Sequence, residues 1–213
     1  MLKLFDYFRS TACFRVRIAL NLKALSYECI PIHLLKNGGE QNSPHYAAIN
    51  PQTLVPTLQD GEFTLSQSLA IIEYLEEKFP QPPLLPVDLD LKSQIRSFAL
   101  AIVADTHPLN NLRVLHYLTQ EFHITEEQKQ VWYHHWINKT FSGLEKMLNA
   151  PTHQSKFCFG DTPTLADVCL VPQMYNARRF HCDLSSFSTL MKIDTHCQTY
   201  PAFQEAFPTD AAA

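Results

Sequence analysis

The amino-acid sequence predicts an α/β domain followed by an all-α domain. Residues 1–79 alternate short apolar runs with amphipathic helical patterns, in the order βαβ and then ββα. Residues 80–90 contain four prolines, and proline continues neither regular element, so 81–90 is expected to be a linker. The pattern beyond it is helical throughout. We therefore predict an α/β domain at 1–80 and a helical bundle at 91–213.

Composition and charge exclude several classes of protein. The chain has 213 residues and is 46% hydrophobic, which is enough for a substantial core. A formal net charge of −4 with 17 basic residues argues against a nucleic-acid partner. No apolar run is long enough for a membrane span and none has the form of a secretory leader, so we expect a soluble cytoplasmic protein. The six cysteines form no C-x-x-C pair, so neither a redox dithiol nor a metal site is expected.

The chain begins with a predicted strand and a capped helix. The run from Leu2 to Phe5 alternates apolar and polar residues and is too short for a helix. Ser10 or Thr11 then stands where a helix should begin, since a side-chain oxygen there accepts from a first-turn N–H group. A hydroxyl, free N–H groups and the positive end of a helix dipole together favour a bound anion or thiolate. Cys13 lies further into the helix, so we rank it behind Ser10 for chemistry.

The rest of the first domain is predicted from strand and turn signals. The segment 26–35 is interrupted by Pro31 and is expected to be an edge strand, followed by a surface loop to Asn50 that can hold a short helical turn. Two short runs, 55–58 and 62–65, are joined by Asp60-Gly61, which predicts an antiparallel hairpin with a two-residue turn. The polar stretch Ser66-Gln67-Ser68 then starts an amphipathic helix.

The second domain is predicted to consist of five helices, at about 91–105, 108–121, 125–149, 164–178 and 186–206. The fourth begins with Thr164 and Asp167 at capping-box spacing, and the residues behind them are apolar. We expect this helix to be the buried centre of the helical domain.

Two further features at the start of regular elements suggest a ligand site. A βαβ–ββα unit with a proline before its third strand resembles the thioredoxin-like fold, in which that X-Pro bond is cis. A cis Val55-Pro56 bond would leave the backbone of Val55 available to an extended peptide, whereas the alternative is an ordinary trans proline at a strand start. Gln67-Ser68 can hold a ligand carboxylate at a second helix N-terminus, or can be a helix cap and nothing more.

The stretch from Phe8 to Leu20 resembles the signature of zeta-class glutathione transferases, the maleylacetoacetate isomerases. The likeness covers nearly the whole chain and continues through residues 50–51, 55–58, 67–75, 108–112 and 166–173. It implies the glutathione transferase architecture, with an N-terminal glutathione domain and a C-terminal helical domain.

Carried over to this sequence, the resemblance implies that the Ser10 hydroxyl donates to the glutathione sulfur and stabilises it as a thiolate. Thr11 stands where the family usually has a second serine. Ala12 stands where the signature cysteine often lies, and Cys13 is displaced from that place by about 100° of helix rotation. The family's other glutathione contacts match Gln41, Val55, Gln67, Ser68, Asn111 and, with histidine where a glutamine is common, His107. The arginine expected to bind substrate carboxylates is Arg179, with Arg9 and Arg15 as further candidates.

The resemblance also implies a reaction. Glutathione, as the cofactor, would assist the cis–trans isomerisation of maleylacetoacetate to fumarylacetoacetate in tyrosine and phenylalanine breakdown, with transferase activity on the side, in a homodimer. Two alternatives remain open. One is a general glutathione transferase that acts on small electrophiles such as α-halo acids, and the other is a non-catalytic domain that binds a protein partner.

Three candidate residues or pairs also have simpler interpretations. Arg179 can be an ordinary arginine that interacts with a helix C-terminus. Tyr7 is expected to be a packing residue at the end of the first strand. His134 and His135 are adjacent, so on a helix they point about 100° apart and do not form a two-ligand metal face.

Overall fold

The computed structural model describes residues 1–149 and 155–209, which form two compact units. Unit 1 contains Met1–Pro83 together with the segment that starts at Tyr200, and unit 2 contains Leu84–Thr199. The boundary after Pro83 lies within the predicted linker. The assignment of the segment from Tyr200 to the helical domain is not supported, because that segment packs in unit 1.

Unit 1 is built on a mixed four-stranded sheet, with strands β1 (Leu2–Asp6), β2 (Tyr27–Pro31), β3 (Thr57–Asp60) and β4 (Phe63–Ser66). The strand order is β2-β1-β3-β4, with β2 parallel to β1 and the other neighbours antiparallel. The predicted sheet and the edge position of β2 are therefore confirmed. The hairpin turn is shifted by one residue from the prediction, because Asp60 pairs with Phe63 and leaves Gly61 and Glu62 as the turn.

The helices are α1 (Thr11–Leu22), α2 (Pro44–Ile49), α3 (Ser68–Lys78), α4 (Leu89–Leu100), α5 (Leu112–Glu121), α6 (Glu126–Leu148), α7 (Leu165–Arg179), α8 (Ser188–Cys197) and α9 (Pro201–Ala206). A π-helical turn continues α4 from Ala101 to Thr106. Two corrections follow. Helix α4 begins inside the predicted linker, capped by the Asp88 carboxylate, and the predicted last helix is two helices because proline favours the first turn of a new one at Pro201.

Helix α1 is the centre of unit 1. Every residue from Thr11 to Leu20 is buried, which fits its packing against both α3 and α9. The Arg17 Nε donates to the Ala206 carbonyl at 3.0 Å, and the Asn21 amide donates to the Ala202 carbonyl at 3.1 Å. These bonds join residues almost two hundred positions apart, so no local pattern in the sequence indicates them.

Helix α7 has the same central place in unit 2. All its residues from Leu165 to Met174 are buried, and it packs against α4 and α8. The prediction of a buried central helix is confirmed. None of the helices in the described ranges is both long and apolar enough to cross a membrane.

Candidate active site

The sheet register brings several predicted site residues to one end of the sheet in unit 1. Strands β1 and β2 are parallel, so the segments that follow Asp6 and Pro31 leave from the same end. Phe5 pairs with Thr57 and Thr57 pairs with Ser66, so the approach to β3 and the start of α3 lie at that end as well. The predicted glutathione contacts of unit 1 belong to these four connections: Ser10, Thr11, Gln41, Val55, Gln67 and Ser68.

Ser10 caps α1, as predicted. Its backbone is extended, with φ −72° and ψ 120°, and its side-chain oxygen accepts from the Cys13 N–H at 3.3 Å. The Ser10 side chain is half-buried, and the first turn of α1 contains no acidic residue. A hydroxyl that accepts a capping bond still has a proton to donate. The start of α1 therefore offers a hydroxyl donor and a helix N-terminus to an anion or a thiolate.

Cys13 is sealed from solvent, with 0% of its surface exposed. Its sulfur accepts from the Tyr7 N–H at 3.4 Å, within a cluster of buried residues that includes Tyr7 and Val55. Burial raises the pKa of the Cys13 thiol far above its ordinary value, and the Asp6 carboxylate adds to this. The chain therefore places a neutral, inaccessible thiol beside Ser10, in agreement with the ranking made from the sequence. The packing role of Tyr7 is confirmed.

The other residues near the start of α1 differ in exposure. Thr11 is buried at 3% exposure, and half-buried Arg9 lies over the Phe8 ring with its guanidinium 4.9 Å from the ring centroid. Arg15 is only 2% exposed. This burial argues against a contact with a substrate carboxylate, and that role of Arg15 stays a prediction.

Gln41 lies in the connection between β2 and α2. This segment, predicted as a surface loop, contains two 3₁₀ turns, Lys36–Gly38 and Glu40–Asn42, before the short helix α2. The Gln41 side-chain oxygen is buried without a hydrogen-bond partner. Gly39 has φ +95°, and a Cβ at this position would lie 2.5 Å from the Gln41 amide nitrogen. Glycine at position 39 is thus needed both for the backbone angle and for the Gln41 amide.

Val55 and the start of α3 carry the remaining predicted site residues of unit 1. The Val55-Pro56 peptide bond is cis, as the fold resemblance predicted, and Val55 lies before the first paired residue of β3. Gln67 has φ +72°, makes no capping bond to α3, and donates through its side chain to Gln52 at 2.7 Å. The first bond of α3 runs from the Ile71 N–H to the Gln67 carbonyl, so the earlier N–H groups have no acceptor within the helix.

Three predicted site residues belong to unit 2. Asn111 caps α5 by accepting from the Arg113 N–H at 3.1 Å, and its side-chain nitrogen lies 3.5 Å from the His107 Nε2. Arg179 is the last residue of α7 and is exposed, with its guanidinium 5.2 Å from the centre of the Phe180 ring. This is also the environment expected of an arginine that interacts with a helix C-terminus.

Sequence reasoning missed one buried ion pair that supports the start of α1. Arg17 donates to the Asp6 carboxylate at 2.6 Å and to the Phe8 carbonyl at 3.0 Å, which fixes the connection between β1 and Ser10. The signal available in the sequence was a pair of charged residues inside apolar segments. A ring nitrogen of His134 lies 2.7 Å from the Phe180 carbonyl oxygen. No group of three or more potential metal ligands occurs within 1–149 and 155–209.

Comparison with known proteins agrees with this geometry. The family described as glutathione S-transferase, N-terminal domain, matches residues 4–83. A probable maleylacetoacetate isomerase of Vibrio cholerae is 48% identical over 205 residues, which cover 96% of this chain and 94% of the relative. The holo structure of a maleyl pyruvate isomerase, described as a bacterial zeta-class glutathione S-transferase, is 42% identical with a TM-score of 0.95, covering 99% of this chain and 100% of that one.

This chain belongs to the zeta-class glutathione transferases. A second solved structure, a maleylacetoacetate isomerase of Anaeromyxobacter dehalogenans with glutathione bound in its active site, is 37% identical with a TM-score of 0.87. The match covers 100% of this chain and 98% of the other.

The donor set of this zeta-class chain fits glutathione, which is a thiol with two carboxylates and a peptide backbone. The start of α1 offers a hydroxyl donor for a sulfur anion, and the start of α3 offers unpaired N–H groups for a carboxylate. Val55 offers backbone groups outside the sheet ladder, and Gln41 has an amide oxygen that lacks a partner. Each of these groups is of the type that glutathione requires.

Proposed function

We propose that the protein is a glutathione-dependent cis–trans isomerase that converts maleylacetoacetate to fumarylacetoacetate. One observation carries the proposal: the start of α1 can stabilise a sulfur anion, yet Cys13 beside it is buried and its pKa is raised. The reactive sulfur must therefore come with a ligand. The name and the full-length similarity of the Vibrio cholerae relative support the same reaction.

Ser10 has the main chemical role in this proposal. Its hydroxyl donates a hydrogen bond to the ligand's sulfur, and the dipole of α1 favours the charged form. When bound, glutathione supplies a thiolate that adds reversibly to the cis double bond, so that rotation can occur before the thiolate leaves. Thr11 is proposed to assist Ser10 from its buried place at the first position of α1.

The remaining residues hold and orient the two ligands. Gln67 and Ser68 would bind a glutathione carboxylate at the start of α3, while Val55 pairs with its peptide backbone and Gln41 binds its other end. His107 and Asn111 are proposed, from the family resemblance, as further glutathione contacts. Arg179 and Arg9 are the proposed partners of the substrate carboxylates, because Arg179 is exposed and Arg9 is half-buried. We also propose, from the family resemblance, that the protein is a cytoplasmic homodimer.

A second candidate substrate is maleylpyruvate, because the neighbour with a TM-score of 0.95 is a maleyl pyruvate isomerase. Both substrates have a cis double bond conjugated with a carbonyl group and carry carboxylates, so the same residues serve either reaction. The difference lies in the acyl chain beyond the double bond.

The decisive experiment is steady-state isomerisation of each substrate with and without glutathione. We expect conversion only when glutathione is present, and faster for maleylacetoacetate. Conversion of neither substrate would reject the proposal. Turnover of α-halo acids alone would favour a general transferase, and glutathione that fails to raise the melting temperature would favour a protein-binding domain.

A further inference from the structure

The connection between β2 and α2 is held by side-chain contacts rather than by long regular structure. It contains only two 3₁₀ turns between Ile32 and Ser43, and it carries Gln41. Short 3₁₀ turns have poor hydrogen-bond geometry, so such a segment needs other contacts to keep one shape. His33 stands at its beginning and Glu40 immediately precedes Gln41.

The His33 imidazole organises the first half of this connection. Its Nδ1 accepts from the Leu35 N–H at 3.2 Å and from the Lys36 N–H at 2.9 Å. The ring stands edge-on to the Tyr7 ring, with centroids 5.1 Å apart. A ring nitrogen that accepts hydrogen bonds cannot carry a proton, so these contacts require Nδ1 to be unprotonated.

The backbone of His33 closes the connection onto Glu40. The His33 N–H donates to the Glu40 carboxylate at 2.7 Å, and the Glu40 N–H donates to the His33 carbonyl at 2.9 Å. The two residues thus form a reciprocal pair that fixes both ends of the turns between them. Because Gln41 follows Glu40 directly, its position depends on this pair.

We propose that His33 is a positioning residue of the glutathione site, whose unprotonated imidazole fixes the segment that carries Gln41. The inference rests on the proposed function, since it assumes that Gln41 contacts glutathione. Protonation of Nδ1 would place an N–H opposite the Leu35 and Lys36 N–H groups and break both bonds. Release of the segment would then lower the affinity for glutathione without touching the thiolate-stabilising group.

The charged and titratable residues in contact with His33 do not place an ionic group on Nδ1. Glu40 contacts the His33 backbone rather than the ring, Lys36 presents its backbone N–H, and Tyr7 presents a ring edge. Histidine is the side chain that ordinarily changes charge between about pH 5 and pH 8. We therefore expect glutathione affinity to fall as the pH is lowered through that range.

Two substitutions separate this role from a general structural one. His33→Ala removes the acceptor. His33→Asn keeps an acceptor, since an asparagine oxygen bonds the N–H groups two and three residues further on, and it does not titrate. The probe is S-methylglutathione, whose blocked sulfur removes thiol ionisation, and its dissociation constant is measured by calorimetry between about pH 5.5 and pH 8.

At about pH 8 we expect His33→Asn to bind like the unmodified protein and His33→Ala to bind roughly tenfold more weakly, the effect of losing one or two hydrogen bonds. On acidification the unmodified protein should lose affinity and His33→Asn should not. In isomerase assays His33→Ala should raise the KM for glutathione and leave kcat at saturation little changed.

An equal loss of affinity on acidification in the unmodified protein and in His33→Asn would overturn the inference, even if His33→Ala did not fold. Full affinity of a folded His33→Ala at about pH 8 would overturn it too. Failure of the unmodified protein to bind S-methylglutathione at any pH would instead reject the glutathione site itself, and with it the proposed function.

Discussion

The starts of α1 and α7 both have a hydroxyl residue at the cap, but only α7 has a carboxylate in its first turn. Each begins with a hydroxyl residue, Ser10 or Thr164, at the head of a buried helix. At α7, the fully buried Asp167 carboxylate accepts from the Thr164 N–H at 2.8 Å, from the Thr164 hydroxyl at 2.9 Å and from the Cys158 N–H at 2.7 Å. Burial raises the pKa of Asp167, and these bonds counter that shift.

The start of α1 has no acidic residue, and its half-buried serine makes a single capping bond. A helix start that already holds a carboxylate is a structural feature, whereas one that lacks it can receive an anion from outside. In these two helices, an acid three residues after the cap separates a start that already holds a carboxylate from one that can bind an anion.

The largest expected effect is on turnover, and it concerns Ser10 at the start of α1. Ser10→Ala should lower glutathione-dependent turnover by roughly 10²- to 10³-fold, as for loss of one donor to a developing anion. Cys13→Ala should leave turnover close to that of the unmodified enzyme, because the Cys13 thiol is sealed and neutral. Kinetics at saturating glutathione measure both. Equal losses would mean that the wrong residue was assigned.

At the start of α7, a substitution should lower stability rather than turnover. Asp167→Ala leaves three buried donors without an acceptor, so the free energy of unfolding should fall by on the order of 3 kcal/mol. Asp88→Ala, which removes the exposed cap of α4, is the matched control and should cost about 1 kcal/mol. Urea denaturation followed by circular dichroism gives both values. An Asp167→Ala protein of unchanged stability but low turnover would abolish the distinction between the two helix starts.

A smaller effect is expected on ligand affinity, through the position of Gln41. Gly39→Ala places a Cβ 2.5 Å from the Gln41 amide, whereas Gly38→Ala meets no atom within 4 Å. Both glycines have positive φ, so both substitutions strain the backbone, and Gly38→Ala is the control that meets no neighbouring atom. Calorimetry with S-methylglutathione should show weaker binding for Gly39→Ala than for Gly38→Ala, by about tenfold. Equal affinities of the two variants would contradict a role of Gln41 in glutathione binding.

The smallest effect concerns thiol reactivity, and it leaves catalysis untouched. Cys29 is exposed and the other five cysteines are buried. The Cys29 sulfur is nevertheless partly buried beside Asp6, and this burial together with the Asp6 carboxylate raises the pKa of Cys29 to about 11. Even this thiol should therefore react slowly at neutral pH and faster as the pH rises. Iodoacetamide labelling of the native protein, read by peptide mass spectrometry, should mark Cys29 first. Labelling of Cys13 at the same rate would show that the start of α1 is more open than its packing indicates.

Local signals in the sequence were sufficient for much of the fold. Apolar alternation and the Asp-Gly pair located all four strands, and the hydroxyl of Ser10 located the start of α1, because strand periodicity and helix capping depend on neighbouring residues. The turn after Asp60 was misplaced by one residue. Its carboxylate accepts from Tyr74 at 2.9 Å, a partner that turn chemistry does not reveal.

Features that depend on distant partners could not be predicted. Nothing near Arg15 indicates that its charge is enclosed, and nothing near His33 indicates that its ring accepts two backbone bonds. The positions of Gln41, Val55 and Gln67 at one end of the sheet follow from strand register, which the sequence leaves open.

The packing of α9 on α1 has a consequence for biosynthesis. Helix α1 precedes the whole of unit 2 in the sequence, yet Arg17 and Asn21 find their acceptors on Ala206 and Ala202, which follow it. Domains ordinarily fold in the order in which they are synthesised. Here α1 is synthesised before unit 2, and α9 is synthesised after it. Part of α1 therefore stays uncovered until the whole of unit 2 has been translated.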